Sequence, residues 1–244
     1  MSDWFDNFST SSELPAEAVS ELHQKGFVVL PGLVPRDRVE RLAEKYDAAM
    51  SSAKDVDLKI GSTSTRVNDF VNRGDEFDAL YILPLLLDAC RRIIGRPFKL
   101  SSFHARTVRP RSRSGQLHVD VRRDSADWPL LGFILMVDEF RPENGATRFV
   151  PGSHQSLSAP EDAISDLRAD YDGQVLACGA AGSLLIFNGS AWHDHSANTS
   201  DKPRRSLQGA FIPRGGQAGT DFGARMQPET RVRLSPLARY VLAI

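Results

Sequence analysis

The sequence predicts a mainly β chain with flanking helices, folded as a sandwich or jelly roll. Three observations predict it. From residue 98 onward, short apolar runs alternate with Gly, Pro and Asn clusters, the punctuation of many short strands. The connections between those runs are mostly too short for the crossover helices that a parallel sheet needs. Before residue 98, apolar residues recur instead at helical spacing.

Residues 1–14 are polar and aromatic without periodicity, and an extended arm is expected there. Pro15 then opens an amphipathic helix with Ala18, Val19 and Leu22 on one face, stopped by Gly26. Residues 27–30, Phe-Val-Val-Leu, read as a strand closed by Pro31-Gly32. The segment 35–50 reads as a second helix, with Val39, Leu42, Ala43, Tyr46 and Ala49 along one stripe. A polar loop is expected around 61–65. A third helical stretch over 78–94 is interrupted by Pro84 and ended by Gly95. Strands are then expected at 99–108, 116–122, 130–137, 147–150, 183–187 and 206–213. The polar excursion within 156–172 breaks this pattern, as a lid or a helix-containing loop. The whole, 1–244, is expected to be one domain: a mainly helical N-terminal region over 1–97, a β core 98–213 carrying the site, and a C-terminal extension 214–244.

Composition excludes several functions. The 244 residues are 41% hydrophobic and 25% charged, enough for a sizeable core and too balanced for disorder. Thirty basic residues against thirty-one acidic ones give a net charge of -1, which excludes a broad basic surface for nucleic acid. The best apolar run, 130–137, is far short of the roughly 18 residues of a membrane span. The N-terminus lacks the basic and apolar regions of a secretory signal and the C-terminus is not Ser-Lys-Leu, so a cytoplasmic location is expected. Cys90 and Cys178 stand far apart among apolar or small residues and are expected to be buried thiols.

The chemistry concentrates around His118-Val119-Asp120. On a strand, His118 and Asp120 point the same way, so an imidazole and a carboxylate converge. Alone, such a tripeptide is more often structural. His193 follows the apolar run 183–187 in a second candidate strand, and with it the three residues would make a two-His, one-carboxylate triad for Fe(II). A lone His193 would as readily satisfy a hydrogen bond in a turn. Arg204 lies eleven positions further on, at the start of another strand, where its rigid fork suits the far carboxylate of a dicarboxylate. Ser206 shares its face, and Arg205 points outward unless the register slips by one.

These residues resemble the phytanoyl-CoA dioxygenase family of Fe(II)- and 2-oxoglutarate-dependent oxygenases. The likeness rests on His118-Val119-Asp120, on Glu143-Asn144-Gly145-Ala146-Thr147-Arg148-Phe149-Val150-Pro151-Gly152-Ser153-His154, on His193 with Asn198 and Arg204, and on the phrase 23–33, so it spans roughly 20–213. The resemblance implies a double-stranded β-helix, a cupin-like jelly roll with the metal near one mouth and helices outside. It implies His118, Asp120 and His193 as iron ligands and Arg204 for 2-oxoglutarate, with Ser206 and His195 as weaker cosubstrate contacts. The cofactors implied are Fe(II), 2-oxoglutarate and O2, with succinate and CO2 released. Related halogenases have a small residue where Asp120 stands, so hydroxylation or another oxidation is expected. The Asn-Gly and Pro-Gly-Ser-His elements look structural, and His154 is not expected to be a ligand.

Residues 101–123 carry Arg106, Arg109, Arg111, Arg113, Arg122 and Arg123 with Asp120 as the sole acid, which suggests a small anionic substrate. The bland reading of the 109–113 run is a solvated loop. Strand periodicity puts Gln116 and Arg122 beside His118 and Asp120, and Arg106 and Trp128 are further candidate substrate contacts. Two other readings stay open: a noncatalytic jelly-roll protein that binds a metal or ligand, and a cupin-type enzyme independent of 2-oxoglutarate. Oligomeric state is not legible.

Overall fold

The computed structural model describes residue 5, residues 12–123 and residues 128–244. Two antiparallel sheets face each other among these residues. The larger runs in the order β1 (Phe27–Leu30), β8 (Leu184–Asn188), β5 (Leu131–Met136), β10 (Arg204–Pro213), β4 (Phe98–Val108), β3 (Ser64–Val67) and β2 (Leu58–Ile60). The smaller is β7 (Val175–Ala177), β6 (Thr147–Phe149) and β9 (His193–His195). The arrangement is a jelly roll.

Strand alternation explains why this sandwich has two cores. In β5, Phe133 and Leu135 turn toward the helices while Ile134 and Met136 turn toward the smaller sheet. In β8, Leu184 and Ile186 face outward in the same way, and Leu185 and Phe187 face inward. Both strands are therefore buried on both faces and read as continuous apolar runs.

Helices cover the outer face of the larger sheet. Helix α1 (Ala16–Lys25) buries Leu22, α2 (Arg36–Ser51) buries Val39, Leu42, Tyr46 and Ala49, and α3 (Pro84–Ile94) buries Leu86, Leu87, Cys90 and Ile93. Each fully buried aliphatic side chain contributes about 1.5–3 kcal/mol relative to exposure. Gly26 and Gly95 end α1 and α3 in the left-handed conformation, the role their positions in the sequence suggest.

Several expectations need correction, the first being that Cys178, expected to be buried like Cys90, is exposed just beyond the short strand β7. Residues 116–122 are not a strand: a single bridge joins His118 to His193, while Leu117 N bonds Leu167 O and Asp120 N bonds Gly189 O, so no ladder forms. The loop expected at 61–65 is the tip and second strand of the β2–β3 hairpin, whose polar side chains carry no apolar alternation. Pro84 begins α3 rather than interrupting a longer helix, because its missing N–H is harmless in the first turn. β7 and β9, three residues each, are too short for a periodic signal. Residues 214–244 form α5 (Phe222–Arg225), α6 (Pro228–Arg233) and α7 (Pro236–Leu242), with α7 packed on β4. The arm expected at 1–14 lies largely outside the described residues; Leu14 N donates to Asp88 Oδ2 at 2.7 Å.

The loop 156–172 contains a short helix, α4 (Pro160–Ala163), and is tied down. Arg148 of β6, fully buried, donates to the carbonyls of Ala169 (2.6 Å), Leu167 (2.9 Å) and Gly115 (2.9 Å). Trp192 Nε1 donates to the Ser158 carbonyl at 3.1 Å from the other side. Two loop carbonyls on one guanidinium hold this loop against β6, and the Gly115 carbonyl fixes the same guanidinium from the segment before His118.

Candidate metal centre

His118 and His193 are held side by side by the backbone. His118 N donates to the His193 carbonyl (3.1 Å) and His193 N to the His118 carbonyl (3.0 Å), a reciprocal antiparallel pair. Asp120 N, bonded to Gly189 O at 2.8 Å, brings its carboxylate to the same side. His118 Nε2 then lies 3.8 Å from Asp120 Oδ1, and His193 Nε2 lies 3.8 Å from Asp120 Oδ2. One nitrogen from each histidine and one carboxylate oxygen all fall within 4.8 Å of one another.

The ring orientations follow from the other nitrogens. His118 Nδ1 meets the Gln116 carbonyl at 3.0 Å, and His193 Nδ1 meets the Ala191 carbonyl at 2.8 Å. A carbonyl can only accept, so in the neutral rings the protons sit on Nδ1 and both Nε2 lone pairs face Asp120. Phe149 stacks on the His193 ring at 5.5 Å and Phe187 approaches it at 4.7 Å, fixing its plane. The Pro-Gly-Ser-His turn sets this strand's start, since Ser153 Oγ accepts from Trp192 N at 2.8 Å.

A buried carboxylate lies behind the pair. Asp194 takes Arg106 Nη2 at 3.1 Å and His195 N at 2.6 Å, and its Oδ2 is 3.6 Å from His118 Nδ1. A Cβ on Gly115 would overlap that carboxylate, so the position admits glycine alone. Burial opposes the Asp194 charge, but His118 and Arg106 overcome it and hold the carboxyl well below the usual range. Burial likewise pulls His118 down, yet Asp194 and Asp120 leave it raised; His193, more deeply buried, is lowered by burial. Two imidazoles and one carboxylate with converging lone pairs form the donor set suited to Fe(II), and as a facial set it leaves coordination positions open.

The three groups line a cavity of about 530 Å³, a size that suits a small-molecule site. Arg204, 1% exposed, forms part of its wall. Its guanidinium lies 4.0 Å over Phe140, donates to Gly145 O at 2.6 Å and to Ser206 Oγ at 3.3 Å, and leaves Nε without a protein partner. The Asn144-Gly145 turn thus aims a carbonyl at the arginine. Burial, then Arg106, pushes Arg204 below the ordinary arginine value, to about 9, and it stays charged at neutral pH. Arg205 faces away, bonded to Asp138 (2.7 Å) and Asp47 (2.8 Å), so the register is the one the sequence suggests.

The other candidates divide. Arg106 lines the cavity, its charge matched by Asp194. His195 lines it too, but both ring nitrogens are occupied, by Thr63 Oγ1 (2.9 Å) and the Ser196 carbonyl (2.8 Å), and burial lowers its pKa to about 4. Ser206 is fully buried behind the wall, where it accepts from Arg204 and donates to the Arg106 carbonyl at 3.1 Å. Arg122, expected beside the ligands, instead pairs with Glu161 (2.6 Å) and Asp162 (2.7 Å), because the chain leaves the extended path after Asp120. Gln116 contributes its carbonyl to His118 while its exposed side chain lies off the cavity wall. Trp128 borders a separate small cleft with His23 and His154. Cavity residues that the sequence did not reveal include Lys59, Arg66, His104, Thr147, Asp194 and Gln208. Polar hairpin residues gave no pattern to find the first two, while Thr147 stood inside a motif read as structural.

Comparison with known proteins bears on this geometry. The family model described as phytanoyl-CoA dioxygenase (PhyH) matches residues 22–206. Dioxygenase af480 of Aspergillus fumigatus is 25% identical over 243 residues, covering 93% of this chain and 76% of its own. Multifunctional dioxygenase prhA of Penicillium brasilianum is 26% identical over 224 residues, covering 81% and 72%. Among solved structures, HygX from Streptomyces hygroscopicus, with nickel and 2-oxoglutarate bound, superimposes with a TM-score of 0.70 at 18% identity, over 84% of this chain and 89% of its own. The non-haem alpha-ketoglutarate-dependent carbocyclase SnoK from nogalamycin biosynthesis gives a TM-score of 0.69 at 21% identity, over 90% and 94%.

Proposed function

The chain belongs to the phytanoyl-CoA dioxygenase family and is a non-haem Fe(II)- and 2-oxoglutarate-dependent dioxygenase, and from that premise we propose how its residues divide the work. His118, Asp120 and His193 hold the iron. Arg204 takes the distal carboxylate of 2-oxoglutarate, and a small molecule beside them is hydroxylated. When bound, Fe(II) with 2-oxoglutarate and O2 supplies an oxidant able to attack a C–H bond, 2-oxoglutarate leaving as succinate and CO2. The observation that carries this reading is the convergence of both Nε2 atoms on the two oxygens of Asp120 at 3.8 Å each, in one cavity with a buried, partly unbonded arginine.

Each residue then has a separable task. Asp120 neutralises part of the metal's charge, and the backbone carbonyls of Gln116 and Ala191 keep both imidazoles in the tautomer that presents Nε2. Ser206 and Gly145 position the Arg204 fork rather than touch the cosubstrate. His195, with both nitrogens satisfied, serves as neutral wall. Phe187 and Ile134 supply apolar wall that keeps water from the reacting carbon. We take residues 1–244 as one oxygenase domain acting in the cytoplasm, a setting compatible with two free thiols; among the described residues no helix is long and apolar enough to cross a membrane.

An anaerobic titration with Fe(II) and 2-oxoglutarate, followed by visible metal-to-ligand charge-transfer absorbance, tests the reading. The expected result is a band that requires both additions, disappears in His118→Ala and needs far more 2-oxoglutarate in Arg204→Ala. A folded, iron-loaded protein without the band would overturn the assignment.

A further inference from the structure

We propose that the mouth of this cavity is an oxyanion subsite for the prime substrate, with Arg66 as the fork that grips the anion and Lys59 as the outer cation. The substrate is accordingly an acid with an apolar body, bearing a carboxylate, phosphate or sulfate. The proposal rests on the dioxygenase reading above for what happens to the bound molecule, but the subsite itself stands on the β2–β3 hairpin.

The register sets three cations in a row. Lys59 pairs with Arg66 across β2 and β3, and Arg66 pairs with Arg106 across β3 and β4. All three line the cavity. Like charges directly opposite one another on a sheet are destabilising, and the row is only partly neutralised from within. Arg106 has Asp194 at 3.1 Å. Arg66 gives its Nε to the neutral Asn68 Oδ1 at 2.8 Å, and among the described residues neither it nor Lys59 has a carboxylate partner. The two terminal nitrogens of Arg66 are therefore unspent, in the planar geometry that matches a carboxylate or phosphate.

Its surroundings make that fork more than a surface charge. Arg66 is half-buried, so an anion there would be screened less than at an exposed site. Burial and Arg106 lower its pKa while Asp120 raises it, which sets its charge within reach of the metal-site carboxylate. Of the other arginines of this region, Arg122 pairs with Glu161 and Asp162, and Arg111 with Asp201. Arg204 lies on β10, buried, whereas Lys59 is exposed at the rim, so the cavity has two cationic poles. Leu130, Ile134 and Phe187 form an apolar wall of the same cavity, and Phe187 touches His193. An acid held by Arg66 can lay its carbon skeleton on that wall, toward the metal ligands.

Isothermal calorimetry on the Fe(II)- and 2-oxoglutarate-loaded protein under anaerobic conditions tests this, with benzoate, its neutral counterpart benzyl alcohol, and inorganic sulfate as probes. The wild type is expected to bind benzoate and sulfate in preference to benzyl alcohol. In Arg66→Gln both anions should weaken at least tenfold, in Arg66→Lys less, and benzyl alcohol not at all. The 2-oxoglutarate dependence of the charge-transfer band should stay within twofold of wild type, and the Tm of Arg66→Gln should be no lower, since one repelling charge is gone. Benzoate bound no better than benzyl alcohol, anion affinity indifferent to Arg66, or 2-oxoglutarate weakened in step with the anions would each overturn the subsite. Absence of the band in wild type, with anion binding still dependent on Arg66, would remove the metal reading and leave the subsite standing.

Discussion

At the scale of single residues, Arg204 shows how much geometry a charge needs. Its guanidinium is flanked by Phe140, Gly145 and Ser206, and the planar fork fits this slot where a lysine ammonium would not. We expect Arg204→Lys to keep the protein folded and the charge present, yet to weaken 2-oxoglutarate about 10- to 100-fold, because a hydrogen bond to a charged group contributes about 1.5–3 kcal/mol. Titration of the charge-transfer band reads this directly, and unchanged affinity would show that charge alone suffices. Arg204 was legible because it opens a strand whose apolar neighbours fix the face. The pair His118 and Asp120 was legible from period two, although the segment pairs at a single bridge. Arg122 was misplaced by the same rule, since the period fails once the backbone turns to Gly189. Arg66 was not legible at all, because a hairpin reading Leu-Lys-Ile and Ser-Thr-Arg-Val has too few apolar residues to mark its faces.

Among the elements, β5 and β8 carry the inner core to the metal ligands. Gly132 of β5 stands opposite Phe187 of β8, and any Cβ there would run into the Phe187 ring. Since that ring lies 4.7 Å from His193, Gly132→Ala is expected to act twice. It should cost about 1–3 kcal/mol by overpacking, read from the urea midpoint, and should also weaken Fe(II) binding as Phe187 is driven toward His193. A destabilised variant with wild-type iron affinity would separate the ring from the site. The helices were visible in the sequence through their periodic burial and the central strands through continuous apolar runs, and even the three-residue β6 stood out between turn residues, whereas β7 and β9, equally short, have no such flanking pattern. The element that carries His193 and His195 is thus one that composition and spacing leave unmarked.

Over the whole molecule, stability and chemistry are fastened at different places. The C-terminal helices are held by Arg225, which pairs with Asp57 and Asp69, and by Arg233, which pairs with Asp78 at 2.7 Å and bonds Val71 O at 2.6 Å. Arg233→Ala should lower the Tm while leaving the Fe(II) and 2-oxoglutarate titrations as in wild type. A loss of cosubstrate affinity would tie this anchor to the site. Acid should act through a buried histidine that does not line the cavity. Burial lowers the pKa of His154 below its ordinary 6.5, so the unfolded chain takes up that proton first. Its contribution is complete above pH 6.5 and declines as pH falls toward the folded value. His154→Gln, which retains a donor for the His23 carbonyl, should flatten the acid limb of the Tm against pH curve; an unchanged slope would show that this histidine does not report on folding.

The clamp that Arg148 places on the 156–172 loop has a kinetic consequence. A loop fastened through two of its own backbone carbonyls, by a guanidinium that also holds the Gly115 carbonyl, is expected to stay in place through turnover, and none of its residues lines the cavity. Ligand traffic is then expected to pass the β2–β3 hairpin, since Lys59 is exposed at the rim while Arg204 is buried in the wall. Sharing one corridor would impose a queue: the cosubstrate would go in ahead of the proposed acid, and succinate would wait behind the departing product. Initial-rate kinetics should show compulsory order, with high concentrations of the acid slowing the enzyme by blocking 2-oxoglutarate.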